Sequence, residues 1–307
     1  MMTVTPSFYV ILGPTASGKS ALAFALAQRI RGAILSVDSM TVYRGMDIGT
    51  AKPIPHEQRV VRHHLIDLVE PDELFTVARF VELADAVIRN RYGPLIATGG
   101  TPLYYKALFE GLFDGPGADD AVRLRLAELS SDVLQARLKT IDPVASIRIH
   151  ANDRKRMIRA IEVFELSGKP ISSFQTEWEN PQPRHPARWF GLNWDKDVLN
   201  RRINQRVKQM IATGWLEETR ELVRKFGALS QTASGATGYP ELIQHLQGKM
   251  SLDDAVELIK IATRQLARKQ MKWFRRFPNV TWLPGDAPVE SLVEQILQAT
   301  PPGADRA

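Results

Sequence analysis

The sequence predicts an α/β fold: a parallel sheet flanked by helices, with a small helical domain inserted into it. Two observations predict it. Short apolar, β-rich runs alternate with segments of helical spacing, and each of these runs ends at glycine or polar residues. Farther along, two glycine- and proline-rich breaks enclose a stretch that is almost wholly helical. The length of 307 residues, at 44% hydrophobic and 24% charged, suffices for such a core with a second, smaller domain.

In chain order, Phe8 to Leu12 is an apolar run ending at Gly13, and Ala21 to Ile30 has helical spacing. Ala33 to Val37 is a second strand that ends at Asp38. After a loop through Lys52-Pro53-Ile54-Pro55, Val77 to Arg91 is helical. Pro94 to Ala97 is a third strand, ending at Thr98-Gly99-Gly100-Thr101. In such alternating folds ligands bind at the C-terminal ends of the strands, where these polar residues lie. The first break is Asp114-Gly115-Pro116-Gly117-Ala118-Asp119-Asp120, and Val122 to Ser167 follows as helix. The second is Asn180-Pro181-Gln182-Pro183-Arg184-His185-Pro186, after which Trp189 to Trp194 returns as a strand. Long helices are expected over 197–227 and 251–277, and the tail from Pro301 to Ala307 as frayed. The expected domains are therefore a core of 1–117 with 187–307, and an insert of 118–186.

Composition excludes several classes. No apolar run approaches the ~18 residues of a spanning helix, so no membrane role is expected. The absence of cysteine removes disulfides, thiol nucleophiles and thiolate metal sites. Met1 to Ser7 carries no secretory pattern, and the expected location is the cytoplasm. The net charge of +6 is mild, but its placement is uneven. Lys260 to Arg276 holds seven cations and no acid, Arg201 to Lys208 four and none, and Arg148 to Arg159 five against Asp153 alone. The remainder of the chain is net acidic, a pattern that suits a polyanionic partner.

Gly13-Pro14-Thr15-Ala16-Ser17-Gly18-Lys19-Ser20 matches G-x-x-x-x-G-K-[ST] between a strand and a helix, which makes the expected fold P-loop NTPase-like. Backbone amides and the helix dipole would cradle a polyphosphate, Lys19 would add a point charge, and Ser20 a hydroxyl for Mg²⁺. The motif does not say whether the ligand is a nucleotide. The third strand ends in Thr98-Gly99-Gly100-Thr101 rather than in a magnesium-holding acid, which argues against an ordinary kinase or ATPase. Asp38 leaves that question open, since nucleotide kinases also place an acid there. His63-His64 is assigned no chemistry, and Asp67 is read as structural.

Five longer motifs follow: the run from Asp38 to Pro53, His63-His64-Leu65-Ile66-Asp67, Gly99 to Tyr104, Asn152 to Glu162, and Arg264 to Arg276. Together they resemble the tRNA dimethylallyltransferase (tRNA isopentenyltransferase) family. The resemblance implies transfer of a dimethylallyl group from dimethylallyl pyrophosphate to N6 of the adenosine 3′ of the tRNA anticodon. It implies Asp38 as the base and Thr101 as donor to the leaving oxygen, with Gly13 to Ser20 on the pyrophosphate and Mg²⁺ on Ser20. Arg202 and Arg206, one helical turn apart, could clamp the outer phosphate.

For the tRNA anticodon stem-loop, the resemblance implies contacts from Asp38-Ser39-Met40-Thr41, Thr101 and Arg123. It adds Lys155-Arg156-Met157-Ile158-Arg159 and Gly235-Ala236-Thr237-Gly238-Tyr239-Pro240. The last segment is Arg268-Lys269-Gln270-Met271-Lys272-Trp273-Phe274-Arg275. Extrusion of the target base would cost roughly a few kcal/mol, which phosphate contacts can offset. Lys260, Arg264, Arg268, Lys272 and Arg276 recur every four residues, as a cationic stripe, with Ile259, Leu266, Trp273 and Phe277 facing inward. Two departures stand out: Thr41, where a longer glutamine is common, and Pro240, where a cation is common. Alternative activities are prenylation of free adenine nucleotides, a small-molecule kinase, or a nucleotide-gated RNA-binding protein. No protein partner is readable, and a monomer is expected.

Overall fold

The computed structural model describes residues 8–111, 115–174 and 184–299. It divides into two compact units, Met1–Leu108 with His185–Ala307 and Phe109–Arg184. The second unit begins at Phe109, inside a helix, because the Arg184 N–H donates to the Phe109 carbonyl at 2.9 Å and joins the two ends of the segment.

The first unit holds six strands: β1 (Phe8–Leu12), β2 (Ala33–Ser36), β3 (His63–His64), β4 (Leu95–Thr98), β5 (Arg188–Asn193) and β6 (Val280–Pro284). They form one parallel sheet in the order β3-β2-β4-β1-β5-β6. β1 and β4 are buried along their whole length, which explains their unbroken apolar sequences. The helices of this unit are α1 (Lys19–Ile30), α2 (Pro55–Val60), α3 (Val77–Arg89) and most of α4 (Pro102–Glu110). In the second unit lie α5 (Asp120–Ala127), α6 (Ser131–Ile141), α7 (Pro143–Arg148), α8 (Arg154–Ser167) and α9 (Ile171–Phe174). The chain then returns to the first unit with α10 (Lys196–Ala212), α11 (Trp215–Phe226), α12 (Tyr239–Leu246), α13 (Leu252–Phe274) and α14 (Val289–Gln298).

Leu22 and Leu26 of α1 and Val293 and Ile296 of α14 cluster with Tyr9, Ile11, Ile34, Ile96, Phe190 and Leu283 of the sheet. Elsewhere in the unit, Tyr105 of α4 meets Trp189 at 6.2 Å and Phe274 of α13 edge-on at 6.0 Å between ring centroids. The Phe274 contact seats α13 against the core.

Several elements differ from expectation. The helix expected over 197–227 is two, because the chain reverses at Thr213-Gly214, where Gly214 takes φ 106°. β3 and β6, the two edge strands, have no counterpart among the expected strands: β3 is the half-buried pair His63-His64 and β6 has only Leu283 buried, so both lack the apolar run that marks the other strands.

In the second unit, Leu126, Leu134, Leu138, Met157 and Ile161 form a separate core. Buried Asp142 caps α7 by accepting from Ala145 N–H at 2.8 Å, and also accepts from Ser172 N–H at 2.9 Å.

Candidate active site

The phosphate loop leaves β1 at the C-terminal edge of the sheet. Its shape demands small residues: a Cβ on Gly13 would lie 2.4 Å from Ser17 Oγ, and Gly18 takes φ 90°. Ala16 also sits at φ 64°, a left-handed conformation that a non-glycine residue keeps only when its surroundings enforce it. Those surroundings come from the chain after β5. Arg202 Nε donates to the Ala16 carbonyl at 3.0 Å, and Trp194 Nε1 donates to the Ser17 carbonyl at 2.9 Å. The Arg202 guanidinium lies 4.3 Å from the Trp194 ring centroid. On the opposite side of the loop, Thr15 N–H donates to Gln270 Oε1 at 2.8 Å.

Two residues past the end of β2, Asp38 lies on the same cavity as this loop, and its two oxygens accept from different amides. Oδ1 takes Met40 N–H at 2.9 Å and Oδ2 takes Gly100 N–H at 3.0 Å. Thr101 Oγ1 accepts from Ser39 N–H at 2.9 Å and donates to Ser39 Oγ at 3.1 Å. Gly99 permits this closeness, since a Cβ there would lie 2.1 Å from the Val37 carbonyl oxygen. Thr15, Lys19, Ser20, Asp38, Thr101 and Arg206 all line one cavity of about 390 Å³. Burial, and then the Arg206 charge, push the Lys19 ammonium down to about 8, with Asp38 opposing them. Arg206 is likewise lowered by burial, with Asp38 in electrostatic reach as the opposing influence. One wall therefore presents cations and the next a carboxylate.

The loop amides are not all free for an anion. Thr15 N–H is spent on Gln270 and Ser17 N–H on the Pro14 carbonyl at 3.2 Å. Arg202 commits its Nε to the loop backbone and its face to Trp194, an arrangement that uses neither of its terminal nitrogens. Arg206 alone of the pair makes no hydrogen bond among the described residues and faces the cavity.

The segment after Asp38 is held by two polar anchors that the sequence did not single out. Lys52, 7% exposed, donates to the Tyr43 carbonyl at 2.7 Å and pairs with Asp47 at 2.5 Å and Asp67 at 2.6 Å, which gives Asp67 a structural role. The Glu218 carboxylate accepts from Asp47, Ile48 and Gly49 N–H at 2.9, 2.7 and 3.2 Å, and from the Tyr239 hydroxyl at 2.7 Å. The Lys52 anchor is local, joining residues 5 to 15 positions apart, whereas Glu218 binds amides about 170 positions away, so no local signal marks Glu218. Thr41 is buried: its hydroxyl bonds Ser36 Oγ at 2.8 Å, and both residues line the cavity.

Several residues of the expected tRNA-facing segments are likewise interior. Tyr239 is fully buried, and Gly238, at φ 102°, has Trp215 where a Cβ would stand, at 2.1 Å. Ala236 is buried, whereas Gly235 is exposed and Thr237 lines the cavity. Pro240 opens α12, where a missing N–H costs no helix hydrogen bond. On α13 the cationic stripe is shorter than its spacing suggests. Lys260 is 6% exposed and paired with Glu257 at 2.5 Å, and Arg264 donates to Asn204 Oδ1 at 2.6 Å. Gln270 and Phe274 are buried and Met271 and Trp273 half-buried, leaving Arg268, Lys269, Lys272 and Arg275 exposed. The inward face is Ile259, Ala267, Gln270 and Phe274, with Leu266, Trp273 and Phe277 only partly covered.

In the second unit Arg123 and Arg159 converge on Glu162, at 2.8 and 2.7 Å. Arg159 also donates to the carbonyls of Gly117 and Pro116 at 3.0 and 2.6 Å. Both guanidiniums are thus engaged within the unit. Met157 is buried and Ile158 packs at the core edge, which leaves Lys155 and Arg156 exposed.

The fold and this cavity are those of a P-loop-type transferase, with the phosphate-loop motif beside a backbone-oriented carboxylate. The family model described as IPP transferase matches residues 41–277, and one described as isopentenyl transferase matches 6–73. The tRNA dimethylallyltransferase of Geobacter metallireducens is 44% identical, covering 94% of this chain and 96% of that one. The tRNA dimethylallyltransferase of Pelotomaculum thermopropionicum is 41% identical, covering 95% of both. Among solved structures, the tRNA isopentenylpyrophosphate transferase of Bacillus halodurans is 35% identical with TM-score 0.71, covering 95% of both chains. A eukaryotic dimethylallyltransferase acting on tRNA is 26% identical with TM-score 0.76, covering 91% of this chain and 74% of that one. The chain belongs to the IPP transferase family.

Proposed function

We propose that the protein transfers the dimethylallyl group of dimethylallyl pyrophosphate to N6 of the adenosine 3′ of a tRNA anticodon. The observation that carries this is the shared cavity: a carboxylate, a threonine hydroxyl and the phosphate-loop lysine line one space at the strand ends. As the N6–C1 bond forms and the allylic C–O bond breaks, the exocyclic amine must lose a proton. Asp38 is the acceptor, oriented by the Met40 and Gly100 amides. Pyrophosphate leaves with its developing charge facing Lys19 and Arg206. The Thr101 hydroxyl, rotated from Ser39 Oγ, donates to the leaving oxygen while Ser39 N–H retains its oxygen.

Mg²⁺ fits this donor set. Among the described residues no cluster of three or more histidines or carboxylates could hold an ion alone. The Ser20 hydroxyl on the cavity wall suits an ion that arrives with its phosphate ligands. When bound, it would supply charge neutralisation on the pyrophosphate. Arg268, Lys269, Lys272 and Arg275, with Gly235 and Thr237 near the cavity, are the surface offered to tRNA. The described residues contain no helix long and apolar enough to cross a membrane, in keeping with an enzyme acting on tRNA in the cytoplasm.

The test is incubation with unmodified tRNA or AMP, dimethylallyl pyrophosphate and Mg²⁺, followed by mass analysis of nucleosides. Isopentenyladenosine is expected in tRNA. Its formation on AMP at equal efficiency would favour the free-nucleotide alternative, and no product on bound tRNA would refute the proposal.

A further inference from the structure

Gln270 sits in the most cationic stretch of α13, yet its side chain is 4% exposed and spans the active site. Oε1 accepts from Thr15 N–H at 2.8 Å, and Nε2 donates to the Gly100 carbonyl at 2.7 Å. Thr15 belongs to the phosphate loop. Gly100 is the residue whose N–H donates to Asp38 Oδ2 at 3.0 Å. One amide therefore ties the cradle of the leaving group to the cradle of the base.

The chemistry of both ends is fixed by their partners. A backbone N–H can only donate and a carbonyl can only accept, so the amide has one permitted orientation and both its ends are satisfied. The fit is close: a Cβ on Gly100 would stand 2.8 Å from Gln270 Nε2 and 2.9 Å from Asp38 Oδ2. Helix packing does not account for this arrangement, since Phe274 against Tyr105 and Ala267 against Ala16 and Ile203 already seat α13.

We propose that Gln270 is a positioning residue that fixes the separation between the phosphate loop and Asp38. Through it α13, whose outer face carries Arg268, Lys269, Lys272 and Arg275, holds the leaving group in line with the base. The inference rests on the transfer reaction proposed above. A displacement of about 1 Å between reacting groups costs on the order of 100-fold in rate.

Two variants test it. Gln270→Met keeps the length and loses both hydrogen bonds. In single-turnover assays with saturating tRNA and dimethylallyl pyrophosphate, its rate should fall about 100-fold with an unchanged Kd for tRNA. Gln270→Glu sets a carboxylate oxygen against the Gly100 carbonyl, but its protonated form again offers one donor and one acceptor. The charged groups around it are Asp38 behind Gly100, Lys19 in the phosphate loop and Arg206 on α10. These groups are the same in the parent protein, so the quantity read is the ratio of the variant's rate to the parent's. Burial and the facing Gly100 carbonyl both raise such a carboxyl, so that ratio should rise as pH falls from about 8 to about 6. A parent-like rate in Gln270→Met, a loss confined to tRNA affinity, or a flat ratio in Gln270→Glu would each overturn the inference. Should Gln270→Met fail to fold, the pH ratio of Gln270→Glu decides. Absence of product from the parent protein would instead indict the transfer reaction itself.

Discussion

At the residue scale, the grouping of the candidate site was legible from side chains alone. The phosphate-loop spacing, Asp38 at a strand end and Thr101 after two glycines are local patterns with direct physical meaning, and they line one cavity. What could not be read was where a polar side chain spends its hydrogen bonds. Thr41, Arg202 and Gln270 are all unremarkable by type, and each is committed to a partner fixed by tertiary structure. Lys19 supplies a prediction at this scale. With its ammonium pushed down to about 8 by burial and Arg206, it is partly neutral in mildly alkaline solution. An anionic ligand favours the charged form, so binding of dimethylallyl pyrophosphate should take up a proton and weaken as pH rises through about 8. Calorimetric titration in buffers of differing ionisation enthalpy measures that uptake; Lys19→Met should abolish it.

At the element scale, buried strands and amphipathic helices were visible because burial leaves an apolar run or a periodic face. The edge strand β6 left neither, and the turn between α10 and α11 hides in a single glycine. On α13, regular spacing of cations overstated the stripe, since Lys260 and Arg264 have partners inside the fold. Arg268→Ala with Lys272→Ala should therefore weaken tRNA binding and flatten its salt dependence, by about 0.7–0.9 in log–log slope for each phosphate no longer neutralised. Filter binding across a salt series measures this, and Lys260→Ala should leave the slope unchanged.

α8 carries a second prediction. Burial alone would raise the Glu162 carboxyl, but Arg159, the Asp119 amide and Arg123 together hold it below the usual range. A depressed carboxyl contributes stability above its unfolded value of about 4.3, and that contribution is lost as pH falls through the folded value. Glu162→Ala should cost this unit about 3 kcal/mol near neutrality, the low end for a buried pair because both guanidiniums reach solvent. Denaturant melts at neutral and acid pH should show that gap narrowing on acidification.

At the scale of the whole molecule, the alternation of strands and helices predicted a parallel sheet with its ligand site at the strand ends, and the six-stranded sheet has that form. The order of its strands, and the return of α10 and α13 to brace the phosphate loop, depend on contacts across most of the chain and leave no local trace. In the proposed transfer those braces hold the base and the leaving group together in the cavity, and that transfer turns on Asp38 being the base. Single-turnover transfer to unmodified tRNA by the parent protein and by Asp38→Asn measures this directly. The account predicts a rate lower by about 10²–10⁴-fold in Asp38→Asn, with tRNA affinity unchanged. A variant that prenylates tRNA at the parent rate would contradict it.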